Sequence, residues 1–142
     1  MNYEVRIVSP LHIGTGKKIT PFEFALTNGR FAVIDMDSVI EANPQRADDL
    51  NSTLEADPIH FSLSNFLTTE EKTHSSFWKY SAAIDATTTD VLQEELRQAK
   101  DMDVDEYIKT PTDHQVYIPG SSLKGAFRNA LAYETFRADE NL

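Results

Sequence analysis

At 142 residues, with 40% hydrophobic content and no cysteine, the chain is long enough for one packed core and short for two domains, and disulfides and thiolate metal sites are excluded. Its net charge of −10 argues against a general nucleic-acid binder, whose affinity comes largely from Lys and Arg neutralising phosphates. No apolar run approaches the roughly 20 residues of a membrane span, and the first residues lack the basic-then-apolar pattern of a secretory leader, so a cytoplasmic location is expected.

Tyr3 to Val8 is rich in β-formers and ends at Ser9-Pro10, which predicts a strand stopped by proline. His12-Ile13-Gly14-Thr15-Gly16-Lys17-Lys18 follows as a glycine-bearing loop. Glycines let backbone N–H groups approach an anion closely, and two lysines stand at the exit. The other reading is a glycine turn with ordinary surface lysines. Phe22 to Leu26 and Phe31 to Ile34 flank Asn28-Gly29, the strongest short hairpin signal, because both turn residues must accept positive φ.

From Asp35 to Asp113 the composition turns acidic. Six basic groups stand against eighteen acidic ones there, whereas residues 1–34 carry a net +2 and residues 114–142 balance. Three segments are expected: strand, glycine loop and hairpin in 1–34, an acidic insertion in 35–113, and a Pro-Gly-Ser-Ser loop and helix in 114–142. The two ends can meet an anion while the acidic middle faces solvent or a basic partner protein. Within that middle, short helices are predicted near Ser38 to Glu41 and Leu63 to Glu71, and a clearer one from Asp90 to Lys100, where Leu92, Leu96 and Ala99 recur at helical spacing. Gln115 to Ile118 reads as a strand. From Ser122 the chain reads as helix, with Leu123, Ala126, Phe127, Ala130 and Leu131 on one face.

The loop Tyr117-Ile118-Pro119-Gly120-Ser121-Ser122 runs into Leu123-Lys124-Gly125-Ala126-Phe127-Arg128. Strand, glycine turn, serine N-cap and helix together aim free amides and a helix dipole at a phosphate or carboxylate. Lys124 and Arg128, four apart, share one helix face. The loop is not a Walker A sequence, since Ala126-Phe127 stands where Lys-Ser/Thr is required. The plainer reading is a capped helix whose Gly125 packs on a sheet.

The motif Ser9-Pro10-Leu11-His12-Ile13-Gly14-Thr15-Gly16, followed about a hundred residues later by Tyr117 to Arg128, resembles the RAMP subunits of type III CRISPR complexes, with both motifs in the family's order. The hairpin text Phe22-Glu23-Phe24 to Phe31 and the acidic segment look most like the capping subunit of the type III-A Csm complex. The resemblance implies an α+β, partial ferredoxin-like (RRM-like) fold with a β-hairpin and a largely helical acidic insertion. It also implies an antiviral-defence role: binding guide RNA (crRNA), capping the backbone, and positioning or maturing the 3′ part of the crRNA. The partners implied are the crRNA, the neighbouring Csm backbone subunit and the other Csm subunits, with no membrane. His12, Gly14, Thr15, Gly16, Lys17, Lys18, Gly120, Ser121, Ser122, Lys124 and Arg128 become the expected RNA contacts. In the family further strands and a second half-domain follow the helix. The chain ends at Leu142, so an N-terminal fragment, a split gene product or a truncated frame is expected.

No cofactor, metal or catalytic residue is expected, and a RAMP-type endoribonuclease is the alternative. His12, His60, His74 and His114 show no i, i+4 spacing, which disfavours zinc; His12 matches the family's loop. Asp35 and Asp37 read as a strand end and helix N-cap pair, or else as metal-binding or RNA-cleaving aspartates. Trp78, with Phe77 and Tyr80, reads as a core contact rather than a base-stacking platform.

Overall fold

Asn28 and Gly29, at φ 44° and 69°, turn the chain between β2 (Phe24–Thr27) and β3 (Arg30–Ile34), which pair antiparallel with Thr27 opposite Arg30 and Phe24 opposite Val33. This is the two-residue hairpin that the sequence predicts. A Cβ at Gly29 would lie 3.6 Å from the Ile84 carbonyl oxygen, an ordinary contact, so substitution there acts through the backbone. Gly29→Ala is expected to cost about 1 kcal/mol in urea denaturation, and Gly29→Asn less, because Asn tolerates positive φ.

The computed structural model describes residues 4, 6–9, 11–98 and 102–139. β4 (Trp78–Ala83) adds antiparallel to β3, with a bulge that sets Val33 opposite Tyr80 and Ile34 opposite Trp78. The resulting sheet has the order β2-β3-β4. Phe24, Leu26, Phe31 and Val33 point to one face, where they meet Ile19, Leu96 and Met102. Ala25, Ala32 and Ile34 point to the other, against Val39, Phe61, Leu63 and Leu67. A sheet covered on both faces needs continuous apolar runs instead of alternation, and Phe24-Ala25-Leu26 and Phe31-Ala32-Val33-Ile34 are such runs. Ala25 and Ala32 are fully buried.

The acidic segment supplies both covers. α1 (Met36–Ala42), α2 (Gln45–Ala56) and α3 (Leu63–Phe66) lie on the alanine side, and α4 (Thr69–Thr73) follows Leu67 of that core. α5 (Ala86–Arg97) brings Leu92 and Leu96 to the Phe24 side. α5 starts four residues before the predicted helix, at Ala86, behind an N-cap Asp85 whose carboxylate accepts from the Thr88 amide at 2.8 Å. The helix predicted over Leu63 to Glu71 is two. Thr68 interrupts it by capping α4 in a reciprocal pair with Glu71.

β1 (Gly14–Ile19) pairs with β5 (Val104–Tyr107) in a two-stranded sheet. Two of the predicted strands are corrected here. Glu4 and Arg6 to Val8 carry no strand, while Tyr3 and Val5 lie outside the described residues. Gln115 to Ile118 contributes only an isolated bridge from Val116 to Lys109. α6 (Gly120–Asp139) is the longest helix among the described residues. Residues 16–106 form one compact unit, and residues 1–15 with 107–142 form another.

Candidate nucleic-acid interface

The expected first loop is a strand. Gly14, Thr15, Gly16, Lys17 and Lys18 all lie on β1 and are exposed, and Gly16 holds a φ of 83° in open space, with nothing within 4 Å of where a Cβ would stand. Sequence alone reads the glycines as a loop because the strand's partner, β5, lies some ninety residues away. That partner is acidic. Lys18 Nζ sits 2.7 Å from Asp105 Oδ1, and its hydrogen bond to Asp105 raises the ammonium above the usual lysine range, with a smaller contribution from the charge of Asp103. Lys18 is therefore already matched with an anion. His12, next to the strand, packs edge-on against Tyr107 with centroids 5.5 Å apart, and the Ile108 amide donates to the Ile13 carbonyl at 2.8 Å.

The second loop is the first turn of α6. The helix begins at Gly120, not Ser122. Pro119 supplies the capping carbonyl, accepting from the Ser122 amide at 3.0 Å and the Leu123 amide at 3.2 Å. Ser121 and Ser122 are thus inside the helix and not at its N-cap. The amides of Gly120 and Ser121 remain, among the described residues, without a backbone acceptor, as the first amides of a helix do. Ser121, Lys124 and Arg128 fall on one stripe at spacings of three and four, while Ser122 is turned off it. Lys124 and Arg128 are exposed and make no ion pair among the described residues. A cation stripe running from two open amides along the positive end of a 20-residue helix suits a sugar-phosphate backbone. Gly125 has nothing within 4 Å of an added Cβ, so it does not pack on a sheet. The apolar residues of α6 are also bare: Phe127 is 63% exposed and Leu131 69%.

Gly16, Lys17 and Lys18 belong to the unit of residues 16–106, and the α6 residues to the other. The remaining candidates fall into structural roles. Asp35 occupies the N-cap position of α1, where its carboxylate accepts from the Ser38 hydroxyl at 2.8 Å, and Asp37 is in the first turn. Trp78 packs against the alanine-side core and donates its Nε1 proton to the Lys72 carbonyl at 3.0 Å. Tyr80 donates to Glu106 at 2.9 Å, and burial pushes its hydroxyl well above the usual tyrosine range. His60 pairs with Asp57 at 2.9 Å and His74 with Ser76 at 2.6 Å. Among the described residues no group of three or more His, Asp or Glu side chains is placed to hold a metal, and no helix is long and apolar enough to cross a membrane. The residue that sequence reasoning missed is Asp105. Its signal is the β-forming, acidic run Val104-Asp105-Glu106-Tyr107, complementary to Lys17-Lys18.

The family model of the RAMP superfamily matches residues 4–141. Among solved structures, the crystal structure of T. onnurineus Csm5 is similar, at 27% sequence identity and a TM-score of 0.64, over 92% of this chain and 34% of that one. This chain thus spans about a third of the length of that Csm5 chain. No curated protein matches. The resemblance carried by the two motifs and the hairpin holds at both levels, superfamily and Csm subunit, and the α+β architecture is that of a partial ferredoxin-like RAMP fold.

Proposed function

The chain belongs to the RAMP superfamily, and from that premise we propose that it is a guide-RNA-binding structural subunit of a type III-A CRISPR complex. In this reading it caps the Csm backbone in the cytoplasm, beside a neighbouring backbone subunit, and helps position or mature the 3′ part of the crRNA. The observation that carries the reading is the start of α6, where the open amides of Gly120 and Ser121 precede Lys124 and Arg128 on one face. These groups recognise phosphate charge and spacing, not base identity, as a subunit that must accept any guide requires. Thr15 and Lys17 of β1 add a second set of contacts, along with Lys18 once it exchanges Asp105 for a phosphate, and with His12 two residues before the strand.

The test is reconstitution. Coexpressed with the remaining Csm subunits and a labelled crRNA, the chain is expected to copurify with the complex, crosslink to the 3′ segment of the guide, and leave labelled RNA intact with Mg²⁺ or Mn²⁺. Absence from the purified complex would remove the proposal. Metal-dependent cleavage that needs this chain would move it to the endoribonuclease branch of the superfamily.

A further inference from the structure

We propose a further anion site in the cavity lined by residues of β2, α3, α4 and α5: a pocket for a phosphate group. The cavity has a volume of about 250 Å³, below the roughly 300–1,000 Å³ of pockets for drug-sized ligands. It suits a phosphate with part of its attached sugar. Leu26 and Leu96, both in the core, form its floor, and its polar lining is Ser64, Asn65, Lys72, Gln93 and Arg97.

The lining runs against the composition of its surroundings. Residues 35–113 hold eighteen acidic groups and six basic ones, yet two of the basic groups reach this cavity and no acidic side chain among the described residues lines it. One carboxylate on each of α4 and α5 is already paired. Glu71 holds Arg46 at 2.8 Å. Glu94 holds Arg97 at 3.1 Å, with both side chains more than half exposed, so an arriving anion can share or replace that pair at little cost. Lys72 makes no ion pair among the described residues. Ser64 accepts from the Leu26 amide at 3.1 Å, which leaves its own proton to donate, and Asn65 and Gln93 each add a side-chain amide. The pocket therefore presents hydroxyl, amide, ammonium and guanidinium donors and, among the described residues, no carboxylate, the donor set of a bound oxyanion.

One effect opposes an anion here. Lys72 and Arg97 lie in the last turns of α4 and α5, and helix C-termini carry partial negative charge. Several of these carbonyls are occupied: on α4, that of Lys72 by the Trp78 indole and those of Glu70 and Glu71 by the His74 amide, and on α5 that of Glu94 by the Gln98 amide. A half-charge at each terminus is outweighed by a full charge on each of the two side chains.

The ligand phosphate can come from the RNA itself or from a free nucleotide or inorganic phosphate, and one experiment separates them. The full chain, isotopically labelled, is titrated with inorganic phosphate, with uridine 3′-monophosphate and with a short oligouridylate, following the side-chain amide signals of Asn65 and Gln93 by NMR. Saturable shifts are expected. Saturation by phosphate or the mononucleotide assigns a free-phosphate site, and saturation by the oligonucleotide alone assigns an RNA phosphate. Lys72→Ala with Arg97→Ala is expected to weaken binding at least about tenfold, and Glu94→Gln to tighten it by freeing Arg97. No saturable shift with any of the three ligands overturns the proposal on the unmodified chain alone. Shifts that survive the Lys72/Arg97 substitution overturn it as well. The signals followed belong to Asn65 and Gln93 of the pocket, and inorganic phosphate needs no contact with α6, so the phosphate arm is independent of the α6 reading.

Discussion

Replacing Lys124 and Arg128 together with alanine is expected to weaken guide-RNA retention by about tenfold or more at physiological salt, equally for every spacer sequence, and to flatten the salt dependence by about two phosphate equivalents. Both side chains are exposed on the first part of α6 and have no ion pair among the described residues, so their charges are not already neutralised and each can replace counterions on a phosphate. Their spacing places them on the same stripe as Ser121, beyond the open amides of Gly120 and Ser121. Truncating them leaves the helix backbone and those amides in place, and alanine favours the helix, so lost binding cannot be attributed to a lost helix. The measurement is guide RNA bound per reconstituted complex across a salt series. An unchanged slope would sink the assignment of these two residues, and a loss confined to one guide sequence would point instead to base readout.

Arg46→Ala is expected to cost about 3 kcal/mol of folding stability, the range found when one partner of a buried ion pair is removed. Arg46 lies on α2 with its side chain only 13% exposed, and Glu71 on α4 is 16% exposed. One guanidinium nitrogen donates to both Glu71 (2.8 Å) and the Phe66 carbonyl (3.0 Å), and the group lies 4.2 Å from the centre of the Phe66 ring. The same Glu71 oxygen accepts from the Thr68 amide at 2.8 Å. Removing Arg46 therefore leaves a carboxylate without its cation, a carbonyl without its donor and a ring without its cover, loosening α2, α3 and α4 together. Arg46→Lys retains the charge but not the fork and is expected to recover less than half of the loss. Equilibrium urea unfolding of the three proteins checks this. A cost below about 1 kcal/mol for the alanine variant, the level of a surface pair, would show that the pair does not pin the helices.

What sequence makes legible here is what local chemistry decides. Asn28-Gly29 dictates its turn because few residues accept those φ values, and the two motifs place the chain in its superfamily. What stays hidden depends on distant partners. Gly14 to Lys18 reads as a loop until Val104 to Tyr107 arrives to pair with it. β4 escapes a sequence reading because Trp78-Lys79-Tyr80-Ser81-Ala82-Ala83 has no alternation that outweighs its neighbours, and its strand state is set by β3. α2 escapes it for two reasons. Its core side is only Leu50 and Leu54, too thin a stripe to stand out. Pro44 reads as a breaker, yet it stands at the helix's N-terminal boundary, where proline's fixed φ is favourable. The α6 start reads two residues late because Ser122 looks like a cap, whereas the Pro119 carbonyl takes that role.

The ion pair between Lys18 and Asp105 means that a phosphate arriving at β1 takes part in an exchange. The polyanion sheds a condensed cation when Lys18 neutralises it, while the Asp105 carboxylate, 61% exposed in the pair, gives up the Lys18 ammonium and draws a small cation in its place. Few small ions are released overall, so binding at the strand gains little of the mixing entropy that drives most protein–RNA association at low salt. Contacts there should persist as ionic strength rises, while those along α6 fade.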